Sequence, residues 1–288
     1  MAKKCRKDLL ESGRFCWTLR RLLRPHPIFD ESPPLPHRPA ARPLGQTFDL
    51  PPLEAGGLPP RRLRAFVPGG QAARPRPLLV LFDGQNVFDD QGSYAGGWRA
   101  HLTAQRMPRR PDRAPVILAV DHGGAARIHE LTPWPDGQHG GQLALLLQGL
   151  LATLTPQLRA SLGVSPRPED TVIGGSSLGG LAALYAHLQR PDVFGRCLAM
   201  SPSLWFARGR FFDWLESAHR PAQSRIYLDV GLREAPQMAQ HARLLAMALT
   251  RRGYHPATLR LLVDPRGHHR EASWRRRLPG ALRFLLKR

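Results

Sequence analysis

The sequence predicts an open α/β fold, with a mostly parallel, doubly wound sheet and helices on both of its faces. Short apolar runs recur at residues 77–83 (PLLVLFD), 115–121 (PVILAVD), 170–176 (DTVIGGS), 196–201 (RCLAMS), 225–230 (RIYLDV) and 258–264 (TLRLLVD). They are largely apolar rather than strictly alternating, the pattern of parallel strands buried on both faces. Stretches of helical length and character lie between them, so the connections are right-handed crossovers. In such sheets ligands bind outside the carboxyl ends of the strands. Chemistry is therefore expected at Asp83, Ser177 and Ser201, and on the loops after Val230 and Asp264.

The elements follow in chain order. The first 24 residues hold eight basic and two acidic groups, and residues 25–60 hold 11 of the 29 prolines. Proline at that density forbids continuous helix or a central strand. Residues 1–60 are read as a basic, proline-rich extension, poorly ordered, and residues 61–288 as a catalytic domain. Regular structure is expected from the edge-type strand near Arg61–Pro68. Helical stretches are expected over 141–163, 177–190, 211–220, the segment after Pro236, and 270–287.

One junction carries a motif. Gly175-Ser176-Ser177-Leu178-Gly179 fits G-x-S-x-G centred on Ser177, whereas centring on Ser176 would require glycine at 178. A strand precedes it and a helix follows, the context in which such a turn lifts its serine above the sheet. The two flanking positions want glycine because side chains there would meet the neighbouring strand and helix. The helix aims its N-terminal N–H groups at the site, making the Leu178 N–H one oxyanion donor. A phosphate loop is excluded by the missing Lys and Ser/Thr of the P-loop pattern.

An elbow of this kind calls for an acid and then a histidine further along the chain. Glu234 lies just past the 225–230 strand, in a loop able to bend over the sheet, while Asp229 sits nearer the strand. Downstream, the turn PRGHHREASW presents His268 and His269, either of which could serve as base. The turn at Asp83-Gly84 leaves the Gln85 N–H free as a second oxyanion donor.

Taken together these residues resemble the α/β-hydrolase superfamily, and within it the esterase branch that includes enterochelin esterase and esterase D. The likeness runs over roughly residues 60–288. VLFDGQNVFDD is similar to the family's D-G-Q-N-x-F turn, RIHELTPW to its R-x-x-E-x-[ST]-P segment, and LAMSPSLWF to its S-P-S-x-W loop. LDVGLREAP looks like its acid segment and points to Glu234. The family's histidine stands five residues before a tryptophan, and Trp274 selects His269; Glu271 fits the same phrase. The resemblance implies the α/β-hydrolase fold and ester hydrolysis through an acyl-enzyme. Ser177, Glu234 and His269 would form the triad, Gln85 and Leu178 the oxyanion hole, and Trp98, Arg127 and Trp205 would contact substrate. An acyltransferase with the same triad is the nearest alternative, and a basic binding protein on an inactive scaffold the more distant one. Residues 1–60 have no counterpart in the separate N-terminal domain of enterochelin esterase, so single-domain members fit better.

Composition narrows the remaining classes. The formal net charge is +20, yet only four of the 42 basic residues are lysines and no nucleic-acid motif accompanies them, so no specific nucleic-acid partner is expected. Cys5, Cys16 and Cys197 are too few and too scattered for a disulfide framework or a zinc site. No secretory signal or run of 18 apolar residues is present. A cytoplasmic enzyme acting on a small-molecule ester, without metal or organic cofactor, is expected.

Overall fold

In the computed structural model the described residues are 45–93, 95–106, 114–218, 221 and 224–287. The expectations for the basic segment before residue 45, with Cys5 and Cys16, lie outside them. Along the chain run β1 (Gln46–Ala55), β2 (Leu58–Val67), β3 (Leu78–Phe82), α1 (Ala100–Arg106), β4 (Val116–Val120) and α2 (Arg127–Glu130). A small hairpin of β5 (Pro135–Asp136) and β6 (His139–Gly140) is followed by α3 (Leu143–Thr153), α4 (Pro156–Ser161) and β7 (Thr171–Ser176). The remaining elements are α5 (Leu178–Gln189), β8 (Arg196–Met200), α6 (Phe206–Ser217), β9 (Arg225–Gly231), α7 (Pro236–Arg251), β10 (Leu259–Asp264) and α8 (Glu271–Leu285).

Eight strands form one sheet in the order β1-β2-β4-β3-β7-β8-β9-β10. From β4 to β10 every pairing is parallel, while β1 and β2 add antiparallel strands at one edge. Period-two alternation splits each central strand between two cores. Leu78, Val80 and Phe82 of β3 join a core covered by α3, α5, α6 and α7, and Leu79 and Leu81 join one covered by α1 and α8. The runs of β3, β4, β7 and β8 are fully buried because both faces of the sheet are covered there, whereas edge strand β10 is partly exposed.

The chain leaves β3 for β4 on one side and returns to β7 on the other. That reversal is the switch point of the sheet, so loops diverge at the carboxyl ends of β3 and β7 and leave a crevice between them.

Two sequence expectations are corrected. Among the described residues the first strand starts at Gln46, ahead of the start expected near Arg61, so residues 46–55 and 58–60 belong to the sheet. Prolines 51 and 52 are tolerated because β1 is an edge strand, with register shifts on either side of Leu53. The single helix expected over 141–163 is two. Pro156 opens α4 at its first turn, and the Thr155 side chain caps it by accepting from the Leu158 N–H at 3.1 Å.

Candidate active site

Ser177 sits between β7 and α5 with φ 57° and ψ −122°, a conformation costly for a residue with a side chain. What holds it there is the absence of side chains around it. A Cβ on Gly175 would lie 2.6 Å from the backbone carbonyl carbon of Gly179. One on Gly179 would meet Asp83 Oδ2 at 3.0 Å and the Phe82 Cβ at 3.3 Å. The Ser177 N–H donates to the Met200 carbonyl at 2.9 Å, extending the parallel ladder one residue past the strand end. Ser176, the other serine of the pair, is 3% exposed.

The loops after β9 and β10 build a chain of hydrogen bonds to the Ser177 hydroxyl. His269 follows β10, and its Nε2 is 3.0 Å from Ser177 Oγ. Its Nδ1 is 2.9 Å from Oε2 of Glu234, which follows β9. The other oxygen of Glu234 accepts from the Gly231 N–H and the Ser201 hydroxyl, each at 2.7 Å. Burial alone would raise the Glu234 carboxyl; the bonds from His269, Ser201 and Gly231 together outweigh it and hold the group below the usual carboxylate range. Glu234 is therefore an anion at neutral pH. A carboxylate can only accept, so the 2.9 Å contact is a hydrogen bond from His269 Nδ1 to Glu234 Oε2.

Asp229, the competing acid, points elsewhere. It is fully buried and grips the Arg277 guanidinium at 3.0 and 2.9 Å. Burial pushes its carboxyl up to about 7, against the pull of that cation. His268 is not hydrogen-bonded to the serine or the acid; its N–H donates to the Ser273 hydroxyl.

On the β3 side, Asp83 takes a left-handed turn at φ 56°. Among the described residues, neither the Gln85 N–H nor the Leu178 N–H has another backbone acceptor. The Gln85 amide brackets the His122 backbone, donating to its carbonyl at 2.8 Å and accepting its N–H at 3.1 Å, which fixes the turn. A pocket of about 590 Å³ opens here, lined among others by Gln85, His122, Arg127, Ser177, His269 and Glu271. Its polar groups are tuned by burial: the His122 imidazole is pushed down and the Glu271 carboxyl up.

The three expected substrate contacts fare differently. Arg127 lines the pocket, but its Nε and one terminal nitrogen are committed to Asp83 at 2.6 and 2.7 Å. Burial works against its charge, yet the Asp83 bonds and field prevail and hold the guanidinium above its ordinary value. Trp98 is corrected: it is 2% exposed, packed against Trp274 with ring centres 6.2 Å apart, in the core and not in the pocket. Trp205 is 47% exposed beside Phe206 and also lies outside the pocket lining.

Sequence reasoning placed Ser201 at a strand end where chemistry was expected, but assigned no role to its hydroxyl, to that of Ser203, or to the Asp229–Arg277 pair. Ser203 Oγ is 3.1 Å from Ser177 Oγ. A signal for the ion pair existed: Arg277 falls on the stripe Trp274, Leu278, Ala281 and Leu282, the buried face of α8. An arginine there demands a buried anion.

Sheet, switch-point crevice and strained serine elbow define an α/β-hydrolase. The family described as "Putative esterase" matches residues 60–285, and the chain belongs to that family. An "Iron(III) enterobactin esterase" of Escherichia coli is 33% identical over 194 residues, which are 65% of this chain and 45% of that protein. The chain thus spans less than half the length of that curated relative. The crystal structure of an enterobactin esterase from Shigella flexneri superposes with TM-score 0.63 at 25% identity, covering 86% of this chain and 59% of that one. An IroE-like serine hydrolase from Shewanella oneidensis has TM-score 0.67 at 20% identity, covering 84% and 80%, and shares the fold. Among the described residues no helix is long and apolar enough to cross a membrane, and no cluster of three metal-binding side chains occurs.

Proposed function

We propose that the protein hydrolyses carboxylic esters through an acyl-enzyme, with Ser177, His269 and Glu234 as its triad. The observation that carries this reading is the unbroken relay from Glu234 to His269 to Ser177, at 2.9 and 3.0 Å. His269 Nε2 takes the hydroxyl proton as Ser177 Oγ bonds to the acyl carbon, and the carbonyl electron pair moves onto oxygen. The Gln85 and Leu178 N–H groups receive that oxyanion; each such donor contributes about 3 kcal/mol to the transition state. Collapse expels the alcohol, which takes the proton back from His269. A water molecule then repeats the sequence on the acyl-enzyme and frees the acid. No metal takes part in these steps.

The substrate class we infer is an ester bearing acidic aromatic groups of the enterobactin type. The relatives' names suggest it, and exposed Arg233, Arg266 and Arg270 flanking His269 would attract such an anion. We place the activity in a reducing cytoplasm, where buried, free Cys197 needs no partner. Purified protein should release p-nitrophenol from short acyl esters, and Ser177→Ala should abolish this. Undiminished hydrolysis by that variant would overturn the triad. Chromatography of enterobactin digests should show linear hydroxyacid products; intact enterobactin beside cleaved p-nitrophenyl ester would reject the substrate class alone. If an added alcohol outcompetes water for the acyl group, the enzyme is an acyltransferase with the same triad.

A further inference from the structure

We propose that the loop Ser201-Pro202-Ser203 after β8 clamps the relay at both ends, Ser201 orienting the acid and Ser203 acting on the nucleophile. This rests on the serine-hydrolase reading above and deepens it.

At Ser201 the direction of every proton is fixed by its neighbours. Trp274 Nε1 and an Arg277 terminal nitrogen both lie 3.0 Å from its Oγ, and both can only donate. The hydroxyl has a single proton, and the partner left for it is Glu234 Oε1 at 2.7 Å. Ser201 is fully buried at φ 43°, held in that left-handed conformation as its N–H meets the Asp229 carbonyl at 2.9 Å and Oδ1 at 3.1 Å. The Asp229–Arg277 pair thereby acts on Glu234 through Ser201, alongside the direct approach of Arg277 to Glu234 Oε1 at 3.9 Å. Ser201 is a positioning residue.

The same reasoning sets Ser203. With Glu234 ionised, His269 carries its ring proton on Nδ1, so Ser177 gives its own proton to Nε2. The 3.1 Å contact between Ser177 Oγ and Ser203 Oγ can then run one way, with Ser203 donating. During attack the Ser177 O–H bond breaks, the proton moves to His269, and the electron pair left on Oγ forms the acyl bond. Ser203 keeps its own proton and donates to Oγ most strongly while that oxygen carries negative charge, during attack and again when Oγ departs from the acyl-enzyme. Ser203 touches the reacting atom and is a catalytic residue. The loop is stiff enough for this: the Ser203 N–H donates to the Ser177 carbonyl at 3.0 Å, and Pro202 lies so close under α5 that a Cβ on Gly180 would come within 3.2 Å of it.

The test compares Ser203→Ala, Ser203→Cys and Ser201→Gly in the full chain, by ester turnover against pH and by fluorophosphonate inactivation rate. Ser203→Ala and Ser203→Cys should both lower kcat about tenfold, the size of one net hydrogen bond, with KM and the acid limb unmoved. Cysteine fills the volume but donates weakly, so equal losses assign the effect to the hydroxyl. Ser201→Gly suits the left-handed backbone. It should move the acid limb of kcat/KM to higher pH, because a carboxylate with one fewer donor holds the neighbouring proton more tightly. Wild-type kcat in Ser203→Cys, or an unmoved acid limb in Ser201→Gly, would overturn the clamp while leaving the triad standing. Absence of Ser177-dependent turnover in the wild-type chain would instead remove the underlying reading, and the clamp with it.

Discussion

Replacing Glu234 by glutamine changes one oxygen to an amide nitrogen, and the surroundings decide which one. Oε1 accepts from the Gly231 N–H and the Ser201 hydroxyl, both at 2.7 Å, whereas Oε2 accepts only from His269. The amide oxygen must face the first pair, since the reverse orientation would point an NH2 group at a backbone donor that cannot turn away. The amide nitrogen then faces His269 Nδ1 and forces that atom to be the acceptor. The ring proton moves to Nε2, where it blocks transfer from Ser177. The wrong tautomer at a serine triad costs on the order of 10⁴ in kcat, about 5 kcal/mol of transition-state stabilisation. Initial rates on a p-nitrophenyl ester at neutral pH should show this loss with KM nearly unchanged. Activity within tenfold of wild type would refute the tautomer argument and free Glu234 of its role.

Other outcomes follow from the same geometry. Gly175→Ala should lower Tm and extinguish turnover together, because its Cβ would lie 2.6 Å from the Gly179 backbone; a folded, active variant would show that the elbow relaxes. Arg277→Met leaves Asp229 buried without its cation and should cost about 3–5 kcal/mol in denaturant titration, part of it recovered by adding Asp229→Asn. Thr155→Ala removes the cap of α4 and should cost about 1 kcal/mol by the same assay with activity intact; no change would mean that the 3.1 Å bond to Leu158 contributes nothing. The Glu234 carboxyl is held below its ordinary value in the folded state. The stability this contributes is complete above the unfolded pKa of about 4.3 and is lost as pH falls through the folded value. The Tm gap between wild type and Glu234→Gln should therefore narrow on acidification below about pH 4, and a widening gap would contradict the sign.

The central sheet was legible because its strands are apolar on both faces, and the elbow because Gly175 and Gly179 are steric requirements with a fixed spacing. The 46–55 strand was hidden by its prolines, which rule out a central strand but not an edge one. Pro156 was hidden inside an apolar helical pattern, since only the cap geometry at Thr155 shows that it starts a helix. The choice between Glu234 and Asp229 depended on where Arg277 reaches, a contact 48 residues from Asp229 along the chain. Trp98 misled because an aromatic near a sheet end has the same sequence signature whether it lines a pocket or fills a core. Ser201 and Ser203 were visible as a motif, but their roles depend on which neighbours donate, and spacing does not encode that.

The central claim is that Ser177 is the nucleophile. Treating the protein with a fluorophosphonate and mapping the adduct by peptide mass spectrometry addresses it directly. A single adduct on Ser177, absent from Ser177→Ala and slowed in His269→Ala, is the predicted result. An adduct on Ser176 or elsewhere, or labelling that survives in Ser177→Ala, would contradict the account.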